Sequence, residues 1–509
     1  MTRKKHNVNH YRIFIITVIG ICISQIITTY HVYMANIQLA NQIQYLQANG
    51  YFVVPNVHVL PQLQSLDIAF VGGLFFTGTI GLGIISITLF VSWFWKNLAD
   101  KNKHFLIVII LLWIIAIYYA YMNGWGLFFL YLCIMLPLLL IINEIIPKSD
   151  TELIPNPHLF WCLPVLFMMI AGISTGRSIS FISIRDYLLI SNDLGYQLND
   201  LYYRFTLYPG EIIKPIALKQ QKTCYIFTEK NDAKRYITAV ERKYILYDYL
   251  VIPDKKKADV VLKIDPPNII FQKNDKTVVL AKIMDFLRES KSVFSDFSAK
   301  TDDNDFFRMC ILLSLVLSAP ILFYIMVMQG MFGFFCLARI PAFLCQWLVV
   351  GIMCIWIVLF VLQMPPDFSK NATQNDWQDS FKKAYQQTDW RQAVVLLKSN
   401  QFTQTRNDHQ LALKWLHETD HPVLKYWLIR FLSDSKIPTE NQVFLDYLSD
   451  PDVNVVCQSL YALGRQRDRN LISPIKTFIK DCPHWYVQMY AYRALKRLGW
   501  RNYPQNGKK

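Results

Sequence analysis

Seven long apolar stretches dominate this chain of 509 residues and constrain its fold more than any other feature. A transmembrane helix needs about 20 mainly apolar residues to cross ~30 Å of hydrocarbon. The stretches occupy residues 11–33, 68–95, 105–121, 126–147, 159–180, 309–329 and 342–364. Only 17% of the residues are charged, whereas soluble domains have about 25%. The sequence therefore predicts a multi-pass α-helical membrane protein with about seven spans.

Lysine and arginine are unevenly distributed between the short loops that connect these stretches. Nine of them lie on one side of the predicted membrane, and residues 34–67 and 122–125 on the other side contain none. Short cytoplasmic loops carry the excess of positive charge, so we expect the amino terminus in the cytoplasm. Seven spans then place both large extramembrane domains in the periplasm or outside the cell. Because the loops are compact, we interpret the chain as a bacterial inner-membrane protein.

The distribution of charge divides the chain into four parts. They are a membrane domain of about five spans (1–180), an extramembrane domain (181–304), two further spans (305–365) and a second extramembrane domain (366–509). Residues 34–67 form an exterior loop in this interpretation, and we expect its apolar core, residues 50–55, at the membrane interface. Residues 331–364 are either one span or a re-entrant segment followed by a span, since Arg339 and Pro341 interrupt the apolar run.

Residues 181–304 have the composition of a small α+β domain preceded by interfacial helices. Tyrosines and leucines recur between residues 183 and 215, and tyrosine is favoured at membrane interfaces, so we expect two amphipathic helices there. Alternation predicts strands at 223–228, 259–264, 268–272 and 277–280, with helices at 231–248 and 281–292. No phosphate-binding loop, nucleophile elbow or metal-ligand spacing is present. The domain has 20 basic and 17 acidic residues, a balance that does not indicate nucleic-acid binding.

Apolar residues after position 420 recur with a spacing of 32 residues. The repeated positions are Val423, Val455 and Val487 in one series and Phe431, Leu463 and Leu495 in a second. Each unit opens with a helix-starting signal that contains aspartate and proline. Helical hairpins at such a period stack into a solenoid, because a single hairpin cannot bury its apolar face alone. These six residues are therefore the expected core of an all-α repeat domain.

Two segments of this region resemble a known repeat family. Residues 450–464, with the sequence DPDVNVVCQSLYALG, look like the HEAT-like repeat that also occurs in phycobilisome lyase-type proteins. Residues 485–499 resemble a further copy, although Ser459 and Leu460 of the first segment replace the usual alanines. The resemblance implies a scaffold that binds protein partners. It implies no lyase activity, because the repeat itself carries no catalytic residues.

Two of the ten cysteines, Cys457 and Cys482, lie in the predicted repeats. In a helical hairpin the start of the first helix neighbours the end of the second, which suits the ~4.4–6.8 Å Cα separation of a disulfide. An exterior location is oxidising enough to keep such a bond. The alternative is two free thiols, with Cys457 buried as a small apolar residue.

These features favour a membrane-anchored scaffold or assembly factor that binds partner proteins through its carboxy-terminal repeats. No catalytic, cofactor-binding or metal-ligating constellation is evident, so we expect no cofactor, and the sequence does not favour an enzyme. The alternative is a membrane-embedded enzyme or carrier for a lipid-linked substrate, with regulatory repeats and a site formed by residues 34–67 and the outer span ends. The expected partners are the lipid bilayer and proteins, with no nucleic acid.

Overall fold

A computed structural model of the chain shows a mostly helical protein, with about 75% helix and one small mixed β-sheet. The residues that it describes are 12–97, 103–145, 185–186, 193–205, 207–273, 275–318, 322, 326, 377–399, 405–435, 437 and 439–504. Along the chain, these residues form amino-terminal helices, a sheet region and carboxy-terminal helices.

The first helix, α1 (Arg12–Ala48), is much longer than the span predicted at its start. Its 37 residues extend over about 55 Å at 1.5 Å per residue. Residues 34–48, expected in an exterior loop, are helical because they contain no proline or glycine that would interrupt the helix. The expectation of a loop is therefore wrong for this part. A short helix, α2 (Leu60–Leu63), follows.

The next two long helices each contain a π-helical turn. The first consists of α3 (Leu66–Phe76), the π turn Thr77–Gly81 and α4 (Leu82–Asn97). The second follows α5 (Lys103–Met122) and consists of α6 (Gly126–Leu130), the π turn Tyr131–Met135 and α7 (Leu136–Ile145).

Three of the described helices are long and apolar enough to cross a membrane. They are Phe14–Ala48, Leu66–Ser92 and Gly126–Ile145. The apolar helix Leu106–Met122 is shorter. The predicted spans at 159–180 and 342–364 lie outside the described residues, and the one at 309–329 lies only partly within them.

Glycine allows α1 and the α3–α4 helix to approach closely. A Cβ atom on Gly81 would lie 2.2 Å from Ser24 Oγ, and one on Gly20 would lie 2.7 Å from Ile85. Both distances are far below van der Waals contact, so a larger residue at either position would force the neighbouring side chain to move. Small residues at helix contacts are typical of membrane helices, where backbones pack closely.

The middle of the chain forms a five-stranded mixed sheet. Its strands are β1 (Lys222–Phe227), β2 (Tyr249–Val251), β3 (Val260–Asp265), β4 (Asn268–Lys273) and β5 (Lys276–Lys282). The order is β2-β1-β3-β4-β5, with β1 parallel to β2 and β3, and with β3, β4 and β5 antiparallel. The sequence indicates every strand except β2, which has only three residues.

Helices flank the sheet in sequence and cover one of its faces. Before the sheet lie α8 (Asp193–Phe205) and α9 (Leu207–Ile213), and α10 (Lys234–Leu246) and α11 (Ile283–Lys300) pack on it. Pro209 lies in the first turn of α9, where a helix tolerates proline. After the sheet region, α12 (Asp305–Leu313) continues into the π turn Ser314–Ser318.

The carboxy-terminal part is entirely helical in its described residues. Its helices are α13 (Trp377–Gln386), α14 (Trp390–Ser399), α15 (Arg406–Glu418), α16 (Pro422–Asp434), α17 (Asn441–Asp446), α18 (Val453–Arg465), α19 (Ile472–Asp481) and α20 (Trp485–Arg497). Helices α14, α16, α18 and α20 pack side by side and are called the inner row below. Helices α15, α17 and α19 pack against them and are called the outer row.

The buried apolar residues of the described parts form two large cores and a small third one of Ala120, Trp125 and Leu132. One core runs without interruption from the amino-terminal helices to the carboxy-terminal helices. The sheet has a separate core between its covered face and helices α10 and α11. The carboxy-terminal helices therefore share their core with α1–α4, α6 and α7, whereas most of the sheet does not.

Candidate functional site

Residues 49–59, called the junction segment below, connect α1 to α2 and contact both other parts of the protein. Helix α1 ends in a Schellman motif: Gly50 has a φ of +79°, its N–H donates to Gln47 O at 2.9 Å, and the Tyr51 N–H donates to Leu46 O at 3.1 Å. Residues 50–55, expected at a membrane interface, are instead largely buried inside the protein. Val54, for example, is only 3% exposed.

Asn56 binds the end of the outer-row helix α19. Its Nδ2 donates to the backbone carbonyls of Ile479, Lys480 and Cys482 at 2.7, 2.9 and 3.0 Å. The last carbonyls of a helix have no partner within the helix, and here a side chain distant in sequence supplies it. Asn56 and its neighbour Gln488 are both buried, so these bonds are formed away from solvent.

The other polar atoms of Asn56 are satisfied as well. Its Oδ1 accepts from the backbone N–H groups of His58 and Val59 at 3.0 and 3.2 Å. Its own N–H donates to Gln488 Oε1 at 2.9 Å, and Gln488 Nε2 donates to the Cys482 carbonyl at 2.6 Å. A buried network in which every group has a partner fixes one arrangement of its elements.

Phe52 and Tyr51 extend the junction segment to the chain end and to the sheet. The Phe52 N–H donates to Asn502 Oδ1 at 3.0 Å, and Asn502 Nδ2 donates back to the Phe52 carbonyl at 2.8 Å. The Tyr51 hydroxyl donates to the carbonyl of Val251 in β2 at 2.6 Å. Burial raises the pKa of Tyr51 to about 12, so this hydroxyl stays a donor at neutral pH.

A second contact joins the residues before α8 to the inner row. Arg185 and Asp186 form a buried ion pair, in which Arg185 Nη2 donates to Asp186 Oδ1 at 2.6 Å. The Trp427 indole N–H donates to the other Asp186 oxygen at 2.7 Å, and the Arg185 guanidinium lies 4.1 Å from the Tyr426 ring centroid. Removing one partner of a buried ion pair strongly destabilises the fold, because the other charge is left buried without compensation.

Helices α8 and α9 lie against the starts of α18 and α20. The Tyr196 hydroxyl donates to the Pro451 carbonyl at 3.1 Å. The rings of Tyr203 and Tyr486 have centroids 4.6 Å apart, and those of Tyr208 and Trp485 are 5.1 Å apart.

Further along α20, the sheet region supplies an ionic contact. Asp248 accepts from the Tyr492 hydroxyl at 3.0 Å and pairs with Lys496 at 2.7 Å. Together with the contacts above, this shows that much of the inner row is covered by other parts of the same chain.

The structure places the six predicted repeat-core residues inside the protein. Val423, Phe431, Val455, Leu463, Val487 and Leu495 are all at most 4% exposed. They lie on α16, α18 and α20, the inner-row helices that pack side by side.

Cys457 and Cys482 are both buried, and each is a free thiol in the structure. Burial raises the pKa of both thiols, and a thiol kept protonated in apolar surroundings is unreactive. Cys482 Sγ lies 3.7 Å from the His484 carbonyl, which it donates to. The disulfide is thus absent from this structure, and its formation in the protein stays a prediction.

A second polar site, called the hydroxyl cluster below, lies between the amino-terminal helices. Ser24 Oγ lies 2.8 Å from the Tyr131 hydroxyl and 3.4 Å from Thr77 Oγ1, which in turn lies 3.0 Å from Thr28 Oγ1. Thr77 and Tyr131 are the first residues of the two π turns. Such turns occur frequently at functional sites. The cluster can hydrogen-bond a neutral polar group, but it holds no group that titrates near neutral pH.

The residues that form the junction were not singled out by sequence reasoning. These residues belong to no sequence motif, and they form hydrogen bonds to residues far away in the sequence. They are Asn56, Gln488, Asn502 and the Arg185–Asp186 pair. The Asn49-Gly50 dipeptide was the available signal, because it predicts the end of a helix. Among the described residues, no group of three His, Cys, Asp or Glu side chains is placed to hold a metal ion.

Comparison with protein-family models, with curated proteins and with solved structures finds no match to this chain.

Proposed function

We propose that this protein is a membrane-anchored scaffold or assembly factor that binds partner proteins through its carboxy-terminal helices. The observation that carries the proposal is the junction: buried hydrogen bonds from Asn56, Gln488 and Asn502 fix those helices to α1. A surface fixed to spanning helices keeps a bound partner at a defined place beside the membrane. Flexible tethering would not require such a buried network.

The proposed architecture has about seven spans and a HEAT-like solenoid. Support for the solenoid comes from the 32-residue period of its core and from the two rows in which its helices pack. The close approach of Gly464 to Ala494 also supports it, since a Cβ on Gly464 would lie 2.9 Å from Ala494 Cα. Small residues at this position allow α18 and α20 to stack closely.

In this proposal α8 lies in the membrane interface. Leu198, Leu201 and Tyr202 follow the i, i+3, i+4 spacing of one helix face and are 51%, 42% and 44% exposed. The next helix, α9, packs against α3, one of the helices long enough to cross a membrane. An amphipathic helix beside a span places its apolar face in the headgroup region. Helix α8 would then hold the starts of α18 and α20 above the bilayer.

The proposed location is a bacterial inner membrane, with a cytoplasmic amino terminus and with both the sheet region and the carboxy-terminal helices outside. The support is the nine basic residues on one side of the short loops and none on the other. A phosphatase reporter that folds only outside the cytoplasm should be active after Lys509 and inactive at Asp100. The reverse pattern would reject this orientation.

Purification from native membranes tests the proposed function. After brief cross-linking, the tagged full chain should retain a protein partner in fixed stoichiometry, and deletion of residues 405–509 should abolish retention. The matched control is a chain cut by a protease site near residue 504, which keeps all the helices. A partner that remains bound after deletion, while α1–α12 stay folded, would reject binding through the carboxy-terminal helices.

A second candidate, an enzyme or carrier for a lipid-linked substrate, is supported by the hydroxyl cluster. Two π turns and the hydroxyls of Ser24, Thr77 and Tyr131 meet there between helices long enough to cross a membrane. The alternative predicts a lipid that co-purifies with the wild type and is lost in Tyr131→Phe. Retention of a protein partner by the same variant would favour the scaffold.

A further inference from the structure

The outer-row helix α19 carries a positively charged groove on its surface. Arg469, Lys476 and Lys480 line a groove of about 540 Å³, together with the neutral polar side chains of Asn470, Ser473 and Thr477. Arg469 belongs to the short 3₁₀ turn Arg469–Leu471 that leads into α19. No carboxylate side chain lines the groove.

The three cations differ from three basic residues of the inner-row helices α16 and α18. Lys425, Arg430 and Arg465 pair with Asp450 or Asp434 at 2.9–3.0 Å or closer. Arg469, Lys476 and Lys480 form no ion pair with any carboxylate in the part of the chain that the structure describes. Lys476 and Lys480 are four residues apart on one helix, where like charges repel each other.

Lys476 is held in place by aromatic rings. Its Nζ lies 5.5 Å from the Phe52 ring centroid and 5.7 Å from that of Trp500. Both distances are within the range of a cation–π contact. Phe52 belongs to the junction segment, so the same buried network that fixes α19 also positions this cation.

We propose that this groove binds an acidic segment of a protein partner. The inference rests on the proposed function and names the surface that would carry it. The cations follow a line of about 16 Å along the helix, from Arg469 to Lys480. That line matches about five residues of an extended peptide. The carboxylates of such a segment pair with the cations, and its backbone amides bond to Asn470, Ser473 and Thr477 between them.

Charge complementarity and the free position of the groove favour this occupant. Much of the inner row is covered by α8, α9, the junction segment and Asp248 of the same chain. The groove lies on the outer row, where an approaching chain meets three uncompensated positive charges. Such charges accelerate the approach of an oppositely charged partner and determine its register.

Fluorescence anisotropy with the detergent-solubilised full chain tests the proposal. The probe is a fluorescein-labelled peptide of six Glu-Gly repeats, and the matched control peptide has six Gln-Gly repeats. The wild type should bind the glutamate peptide at least tenfold more tightly than the glutamine peptide at low salt. Lys476→Glu combined with Lys480→Glu should weaken binding at least tenfold, and Lys480→Gln alone should have an intermediate effect.

The control variant combines Lys382→Glu with Lys383→Glu on the exposed face of α13, which changes the net charge equally. It should bind the glutamate peptide within twofold of the wild type. An equal loss in this variant, or equal binding of both peptides, would overturn the proposal. The proposal would also be overturned if Lys476→Glu with Lys480→Glu weakened the binding of phosphatidylglycerol vesicles or of a single-stranded oligonucleotide more than it weakened the binding of the glutamate peptide. If the peptide fails but a protein partner still requires residues 405–509, this inference fails and the proposed function stands.

Discussion

The sheet region and the carboxy-terminal helices differ in whether they have a hydrophobic core of their own. The sheet builds its own core, in which Tyr244, Phe271 and Phe294 pack with ring centroids 4.8–6.4 Å apart. The carboxy-terminal helices have no separate core, since their buried residues continue into those of α1 and α3. The sheet is thus a self-contained unit, whereas the carboxy-terminal helices are an extension of the amino-terminal ones.

This difference has consequences for stability. A unit with its own core unfolds without disturbing its neighbours, because few of its contacts are shared. Elements that share a core and a buried polar network are coupled, and damage to one is transmitted to the others. Changes in the two regions should therefore have separable effects, which hydrogen exchange resolved by peptide mass spectrometry measures directly.

The largest effect is expected from Leu463→Asp in the inner row. Leu463 is fully buried, and an unpaired buried carboxylate costs several kcal/mol, about 4 or more. Exchange should accelerate throughout α16–α20, while peptides from β1–β5 keep their protection. Leu280→Asp is the matched control, because Leu280 on β5 is 62% exposed. Unchanged exchange in α16–α20 would show that this residue does not belong to the core.

Phe271→Ala applies the converse test to the sheet. Phe271 is fully buried among the rings of α10 and α11, and such a truncation costs about 3–5 kcal/mol. Peptides from the sheet and from α11 should exchange faster, and those from α16–α20 should not. Equal acceleration in both regions would contradict the separation of the two cores.

Asn56→Ala tests whether the junction couples the carboxy-terminal helices to α1. The substitution removes three bonds to the end of α19 and two to backbone N–H groups. Buried groups left without partners cost about 1–3 kcal/mol each, so we expect a loss of about 3 kcal/mol after partial rearrangement. Exchange and trypsin cleavage should increase in residues 472–504. His58→Ala, on an exposed residue, should leave both unchanged.

Acidification from pH 8 to pH 5 should destabilise the carboxy-terminal helices more than the sheet. Burial lowers the pKa of His484 to about 4, and it also lowers the pKa of His409 and His421. Residues 222–300 contain no histidine. Between pH 6.5 and 4 the unfolded chain binds the proton that folded His484 does not, so stability falls as the pH decreases.

The expected loss from His484 alone is about 2 kcal/mol between pH 8 and pH 5. Thermal unfolding at each pH, monitored by hydrogen exchange of peptides from each region, measures this loss. His484→Gln removes the titrating group and should reduce the pH dependence by that amount. A sheet that loses protection at the same pH as α20 would contradict the assignment of the effect to these histidines.

The sequence predicts the elements far better than it predicts their contacts. Period-2 alternation identifies four strands, and the 32-residue period identifies residues such as Leu463 that are buried in the structure. Strand β2 is not predicted, because three residues are too few to show period-2 alternation. Residues 34–48 were expected in a loop because their polar residues ended the apolar run, although polar residues such as glutamine are good helix formers.

The junction could not be predicted for a different physical reason. Asn56 and Gln488 are 432 positions apart, and no local propensity or periodicity relates residues at that distance. A buried amide also has the same one-letter signature as an exposed one. Only the fold shows that Asn56 supplies the missing partners of α19, and only the fold shows that the inner row is covered.

The smallest effect, in fact none, is expected from reducing agents. The structure contains Cys457 and Cys482 as free buried thiols, so reductant should not change the melting temperature of the carboxy-terminal helices. Alkylation after denaturation without reductant should modify both cysteines in full.

A disulfide would instead close a loop of about 25 residues and add roughly 3 kcal/mol on the chain-entropy model. Incomplete alkylation together with a reductant-sensitive melt would establish the bond, and it would also place these helices in an oxidising compartment, because such bonds do not persist in the cytoplasm. Full alkylation would leave the shared core and the Asn56 network as the contacts that hold α18, α19 and α20 in place, and the contrast with the self-contained sheet would then rest on packing and hydrogen bonds alone.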